Sequence, residues 1–141
     1  MFKNLKFYTL LFCIGAVGYC LIELLWRGRT HPSMGLAGGL SFCFIAIIQK
    51  ELKTLKFIYR CIFSGLSITA VELVFGGVFN LWLDRSVWDY SLMPLNLFGQ
   101  VCLTYTVLWC ILSAPMLILT DIIRQKFNKK PPCPHSSKAV D

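Results

Sequence analysis

Two carboxylates sit inside otherwise apolar runs: Glu23 within Tyr8–Trp26 and Glu72 within Ile58–Phe79. Placing a charge in hydrocarbon costs about 3 kcal/mol or more, so such residues face a protein interior or a wet cavity and commonly handle protons or ions. Glu23 precedes Arg27 by four residues near the end of its run, and an ion pair capped by water accounts for it. Glu72 has no basic residue three or four positions away. It lies about 14 residues into its run, about 21 Å at 1.5 Å per residue. It must therefore reach Arg27, Arg29 or His31 across a helix interface, bind a cation, or keep a proton.

The segment Trp26-Arg27-Gly28-Arg29-Thr30-His31 brings two guanidiniums and an imidazole together, a set suited to phosphate or carboxylate recognition. Asp84-Arg85 and Trp88-Asp89-Tyr90 could order that loop or complete the site. Asn96, Gln100 and Thr104, four residues apart, are expected to form a polar stripe at the start of a fourth helix. The candidate substrate or ion site is thus Glu72, Glu23, Arg27, Arg29, His31, Trp88, Asp89, Asn96 and Gln100. The plainer alternatives are lipid-phosphate contacts for Arg27 and Arg29, and an interfacial aromatic belt for most of Trp26, Trp82, Trp88 and Tyr90.

The elements that position these groups are membrane helices. Apolar residues make up 56% of the chain, charged residues 15%, and mean hydropathy is +0.63, well outside the range of a soluble domain. A helix needs about 20 apolar residues to cross the hydrocarbon, and segments at about 5–26, 32–48, 57–79 and 97–119 meet or approach that length. The second is short, and gains length if Pro32 is its first helical residue. The first resembles a signal peptide in Lys3, Lys6 and Ala16-Val17-Gly18, but its apolar run continues to Trp26, so a retained helix is expected.

Eleven of the fourteen Lys and Arg residues fall on one side of these spans, from Lys3 and Lys6 through Lys50–Arg60 to Arg124–Lys138; only Arg27, Arg29 and Arg85 fall on the other. The positive-inside rule then places both termini in the cytoplasm, giving two in–out–in hairpins in an all-α polytopic membrane protein. The net charge of +7 is a topology signal and an attraction to anionic headgroups, with no nucleic acid implied. Residues 1–123 form the membrane domain. Residues 124–141, with Lys129-Lys130-Pro131-Pro132, are expected to be a disordered basic tail, inert rather than a Cys133/His135 metal site. The seven cysteines contain no C-x-x-C pair and are expected to act as small packing residues; no metal and no cofactor is expected.

The chain carries a thin internal echo. Leu21-Ile22-Glu23-Leu24 precedes Ser33-Met34 and Gly38-Gly39, and Ala70-Val71-Glu72-Leu73 precedes Ser91-Leu92-Met93 and Gly99-Gln100. A true duplication would relate parallel halves by an axis along the membrane normal and bring both glutamates toward it. Within the third helix, Cys61, Gly65, Thr69, Glu72, Gly76 and Asn80 form a small, polar stripe that should face protein, with Gly35-x-x-x-Gly39 of the second helix as an opposing surface.

Leu24 through Met34 with Gly38-Gly39, Val71-Glu72-Leu73-Val74-Phe75-Gly76, Asn80, Val87-Trp88-Asp89-Tyr90-Ser91, Pro94, Asn96-Leu97 and Gly99-Gln100-Val101-Cys102 resemble the bacterial ABC-transporter type IV permease-like family. The resemblance covers about Gly18 to Ser113 and implies a polytopic inner-membrane protein. No G-x-x-x-x-G-K-[ST] run occurs, so ATP-driven transport would need an ATPase supplied in trans. Four helices enclose little more than their own side chains, so a transport path implies a homo-oligomer or a partner membrane subunit.

Three function classes stay open. A transporter or permease component would use Glu72 as a proton- or cation-linked carboxylate and the Arg/His loop as an external gate. An accessory or regulatory subunit would use the polar stripes only to dock partner helices. A membrane enzyme acting on a lipid or cell-wall precursor is the weakest, because it needs a nucleophile or metal, His31 and the scattered carboxylates show no H-E-x-x-H or comparable spacing, and no residue is assigned as catalytic.

The charge bias has a direct test. A cysteine replacing Arg85 should react with an impermeant maleimide on intact cells, and one replacing Lys53 only after permeabilisation. The opposite pattern would invert the assignment of sides.

Overall fold

The computed structural model describes residues 2–128. Four helices long and apolar enough to cross a membrane dominate it: α1 (Phe2–Arg27), α2 (Pro32–Glu51), α3 (Phe57–Gly76) and α4 (Leu103–Asn128). The chain is therefore a multi-pass helical membrane protein. α1 packs chiefly on α2 and α3 on α4; α2 joins the pairs, while α1 and α4 touch little.

The turn between α1 and α2 is written in local chemistry. Gly28, at φ +68°, ends α1 in the left-handed conformation that glycine adopts without strain. Pro32 occupies the first turn of α2, and the Ser33 amide donates to His31 Nδ1 at 3.2 Å, making His31 the N-cap. His31 is therefore held as a structural acceptor.

α3 does not end as an α-helix. After Gly76 it widens into a π-helical turn, Gly77–Trp82, on which the buried Asn80 sits. An irregular segment follows, and α4 starts at Leu103 rather than near residue 97. Residues Asn96–Leu97 (β1) and Val101–Cys102 (β2) instead form a short antiparallel hairpin, with Asn96 opposite Cys102. The reason is turn chemistry: Gly99 has φ +67°, and its amide donates to Asn96 Oδ1 at 3.1 Å, a side-chain-capped turn that competes with helix. Asn96 and Gln100 thus share no helical stripe with Thr104, correcting that expectation. At its far end α4 continues to Asn128, so Arg124–Asn128 are helical rather than tail. The rest of the expected tail, including Cys133 and His135, lies outside the described residues.

Small residues set how closely the helices approach. A Cβ on Gly15 would lie 2.5 Å from the Gly38 carbonyl, one on Gly39 would lie 2.7 Å from the Phe12 ring, and Gly35 faces the Cys20 sulfur. The Gly35/Gly39 face therefore packs on α1, not on the α3 stripe as the sequence suggested. The α3 stripe faces α4 and the hairpin. Gly65 abuts Cys110, Thr69 Oγ1 donates to Thr106 Oγ1 at 3.1 Å, and a Cβ on Gly76 would lie 2.5 Å from Gln100 Oε1. The described cysteines are all unpaired thiols, and Cys20 and Cys110 serve as packing partners for these glycines.

Replacing Gly76 with leucine should displace Gln100 and destabilise the detergent-solubilised protein by about 3 kcal/mol. Phe63→Leu, at a position 46% exposed on the outer surface of α3, should change stability by less than about 0.5 kcal/mol. Thermal unfolding of the two variants checks this; equal losses would mean the stripe does not face protein.

Candidate functional site

Glu72 is the most enclosed ionisable side chain in the span, with 2% of its surface exposed. The Tyr19 hydroxyl of α1 donates to its Oε1 at 2.6 Å, and the Trp109 indole N–H of α4 donates to its Oε2 at 2.8 Å. The Tyr19 and Trp109 rings stack with centroids 5.5 Å apart, forming one aromatic wall against the carboxylate. Among the described residues no basic side chain lies within ion-pair distance of Glu72. Of the three sequence options for this residue, the cross-helix pair with Arg27, Arg29 or His31 is thereby removed.

Tyr19 and Trp109 were missed by sequence reasoning, although one signal was available. Trp109 lies well inside the fourth apolar segment, away from interfacial depth, and a buried indole N–H needs an acceptor. Only a few polar side chains in the spans could supply one, and Glu72 is among them.

Glu23 is arranged differently. Its Oε2 accepts from Arg27 Nη2 at 2.8 Å, and the same nitrogen donates to the Val87 carbonyl at 3.0 Å. Arg27 thus ties the end of α1 to the segment after α3, and the pair expected from the four-residue spacing is present. The two glutamates have unlike partners, whatever the origin of the sequence echo.

Trp88 and Gln100 meet in a knot centred on Asn80. Asn80 Nδ2 donates to the Trp88 carbonyl at 2.9 Å and to Gln100 Oε1 at 2.7 Å, while its Oδ1 accepts from the Val87 amide at 2.7 Å. Trp88 Nε1 in turn donates to the Gln100 carbonyl at 2.8 Å. At 4% exposure Trp88 is no belt residue, unlike Trp26 and Trp82 at 73% and 79%. Asp89 and Asn96 hold turns: Asp89 accepts from the Ser91 hydroxyl and amide, and Asn96 Nδ2 donates to the Ser91 and Met93 carbonyls. The Ser91 hydroxyl, and then its amide, hold the Asp89 carboxyl below the usual carboxylate range. Burial pushes the Tyr90 phenol above its usual range, and its ring stacks on Tyr105 at 4.6 Å.

The nine candidates therefore divide. Arg27, Arg29 and His31 line one recess of about 160 Å³ with Arg85. Asp84 and Ser86, at φ +50° and +46°, flank Arg85 in left-handed conformations that non-glycine residues seldom adopt. Beside this recess, a mostly apolar cleft of about 280 Å³ opens between α1 and α4, with Trp26, Tyr105 and Trp109 in its lining and the Glu23–Arg27 pair at its wall. Trp109 also borders a cavity of about 20 Å³ with Tyr19 and Ser41, close to the volume one water occupies. The indole that holds Glu72 thus lines both the cleft and this smaller space.

No curated protein and no solved structure matches the chain. The family described as "Putative ABC-transporter type IV" matches residues 10–134, a stretch that includes the Glu72 site, the Asn80 knot and the arginine recess. The protein belongs to that family.

Proposed function

We propose that this chain is the membrane-embedded component of a transport assembly in which Glu72 is the group that exchanges a proton or small cation. The observation that carries the reading is a carboxylate 2% exposed, held only by the neutral donors Tyr19 and Trp109. A carboxylate retained for architecture alone is expected to carry a basic partner in such a place. Trp109, which donates to Glu72, also lines the α1–α4 cleft, so movement of its indole would open the carboxylate toward that cleft. In the recess of Arg27, Arg29, His31 and Arg85, Arg27 is already paired with Glu23, and the guanidiniums of Arg29 and Arg85 suit an anionic group arriving at the same end. By the charge bias that end is external, and the resemblance to a bacterial family implies the inner membrane. The absence of a nucleotide-binding loop from the sequence assigns any ATP hydrolysis to a partner in trans. The docking-subunit alternative uses the same seams without ion exchange.

Glu72→Gln separates the two. The amide oxygen can accept from Trp109 and the amide N–H can donate to the Tyr19 oxygen, so both heavy-atom contacts are kept while the Tyr19 hydroxyl proton must turn away from residue 72. Its stability should stay within about 1 kcal/mol of the parent, whereas Glu72→Leu strands a phenol and an indole N–H and should cost about 2 kcal/mol or more. Infrared difference spectra of protein in nanodiscs, recorded as pH or cation concentration is stepped, should show a carboxyl band that responds in the parent and in Glu23→Gln and is absent from Glu72→Gln. A carboxyl signal indifferent to both variables would favour the docking subunit.

A further inference from the structure

The opposite end of the bundle holds a second recess, of about 270 Å³, where α1 begins and α2 and α4 end. Lys50 and Arg124 supply its cations, Asn4 and Asn128 supply amides, and Phe7 and Phe127 line it. The two phenyl rings meet edge to face with centroids 5.7 Å apart. Arg124 is positioned rather than free: its Nη2 donates to the Ala46 carbonyl of α2 at 2.9 Å, and its guanidinium carbon sits 5.1 Å from the centre of the Phe7 ring. Its Nε is buried and has no hydrogen-bond partner among the described residues. Among the described residues no carboxylate lines the recess. Glu51 pairs with Lys50 at 2.8 Å from outside it, and both side chains are 60% exposed, so the pair is screened by water and readily exchanged.

We infer that this recess binds the phosphate headgroup of an anionic membrane lipid. Two cations and two amides converge on one concavity, which suits a phosphodiester, and their net charge favours a lipid with no compensating ammonium. The location fits a lipid rather than a soluble anion, because both flanking helices continue from the recess into the apolar span. A dipole explanation covers less. Lys50, in the last turn of α2, could simply offset its negative end, but Arg124 donates across to a carbonyl of the neighbouring helix instead of capping its own.

Native mass spectrometry of the full chain, titrated with phosphatidylglycerol or phosphatidylcholine in detergent, tests the assignment. Each basic residue near an anionic headgroup contributes about fivefold in affinity, so phosphatidylglycerol should bind about 25-fold more tightly than phosphatidylcholine. Lys50→Gln should remove about fivefold of that preference. It alters an exposed side chain with no cross-helix bond, so it stays informative even if Arg124→Gln, which also loses the Ala46 contact, fails to fold. Lys53→Gln, in the exposed turn after α2, should leave the preference unchanged. Equal binding of the two lipids, an equal loss from Lys50→Gln and Lys53→Gln, or displacement of phosphatidylglycerol by millimolar inorganic phosphate would each overturn the proposal. The last outcome would identify a soluble-anion site.

Discussion

In hydrocarbon no water is available to satisfy a polar group, so each one must find a partner within the protein. The Glu72 carboxylate is where this constraint acts most strongly. Its two oxygens take one bond from α1 and one from α4, so a single side chain on α3 ties together three helices, of which α1 and α4 otherwise touch little. An apolar residue at that position would release both helices from a common anchor.

The glycine seams follow from the same economy of contacts. Lipid tails are as apolar as leucine, so helices gain little by burying hydrophobic surface against one another and associate through close packing and polar bonds instead. Gly15 against Gly38, and Gly65 against Cys110, bring backbones near enough for side chains of modest reach to bond across the interface. The Thr69–Thr106 hydroxyl bond lies in one such seam. At the lysine-rich end, Gln49 bridges Arg60 and Asp121, its oxygen accepting from the guanidinium at 2.8 Å and its amide donating to the carboxylate. Opposite charges on α3 and α4 are thereby connected through α2 without direct contact.

Hydropathy made the four spans readable, because length and apolar content in lipid are a direct physical requirement. The Glu23–Arg27 pair was readable from spacing alone, and the inward stripe of α3 from its small residues. What the sequence did not disclose depended on contacts distant along the chain. Tyr19 lies 53 positions from Glu72 and Trp109 lies 37, and no local pattern links them. Asn96 and Gln100 misled because their four-residue spacing satisfies a helical period, while the left-handed Gly99 between them makes a turn. The Gly35/Gly39 face was recognised as a packing surface but assigned to the wrong neighbour, since small residues announce close approach without naming the partner.

The widened turn at Gly77–Trp82 has a rotational consequence. Eight residues of regular α-helix, at about 100° each, would leave Asn80 about 80° around the axis from Glu72. A π turn uses more residues per revolution, so each advances the chain by a smaller angle and Asn80 swings back toward the face that carries Glu72. The surplus residue therefore acts as a phase adjuster between two halves of one helix. It brings the carboxylate anchor and the asparagine knot into register on the same side of the bundle. Any rewinding of that turn into regular helix would twist the knot away from Val87, Trp88 and Gln100 together, which makes this short stretch a mechanical clutch between the membrane core and the loop that carries Arg85.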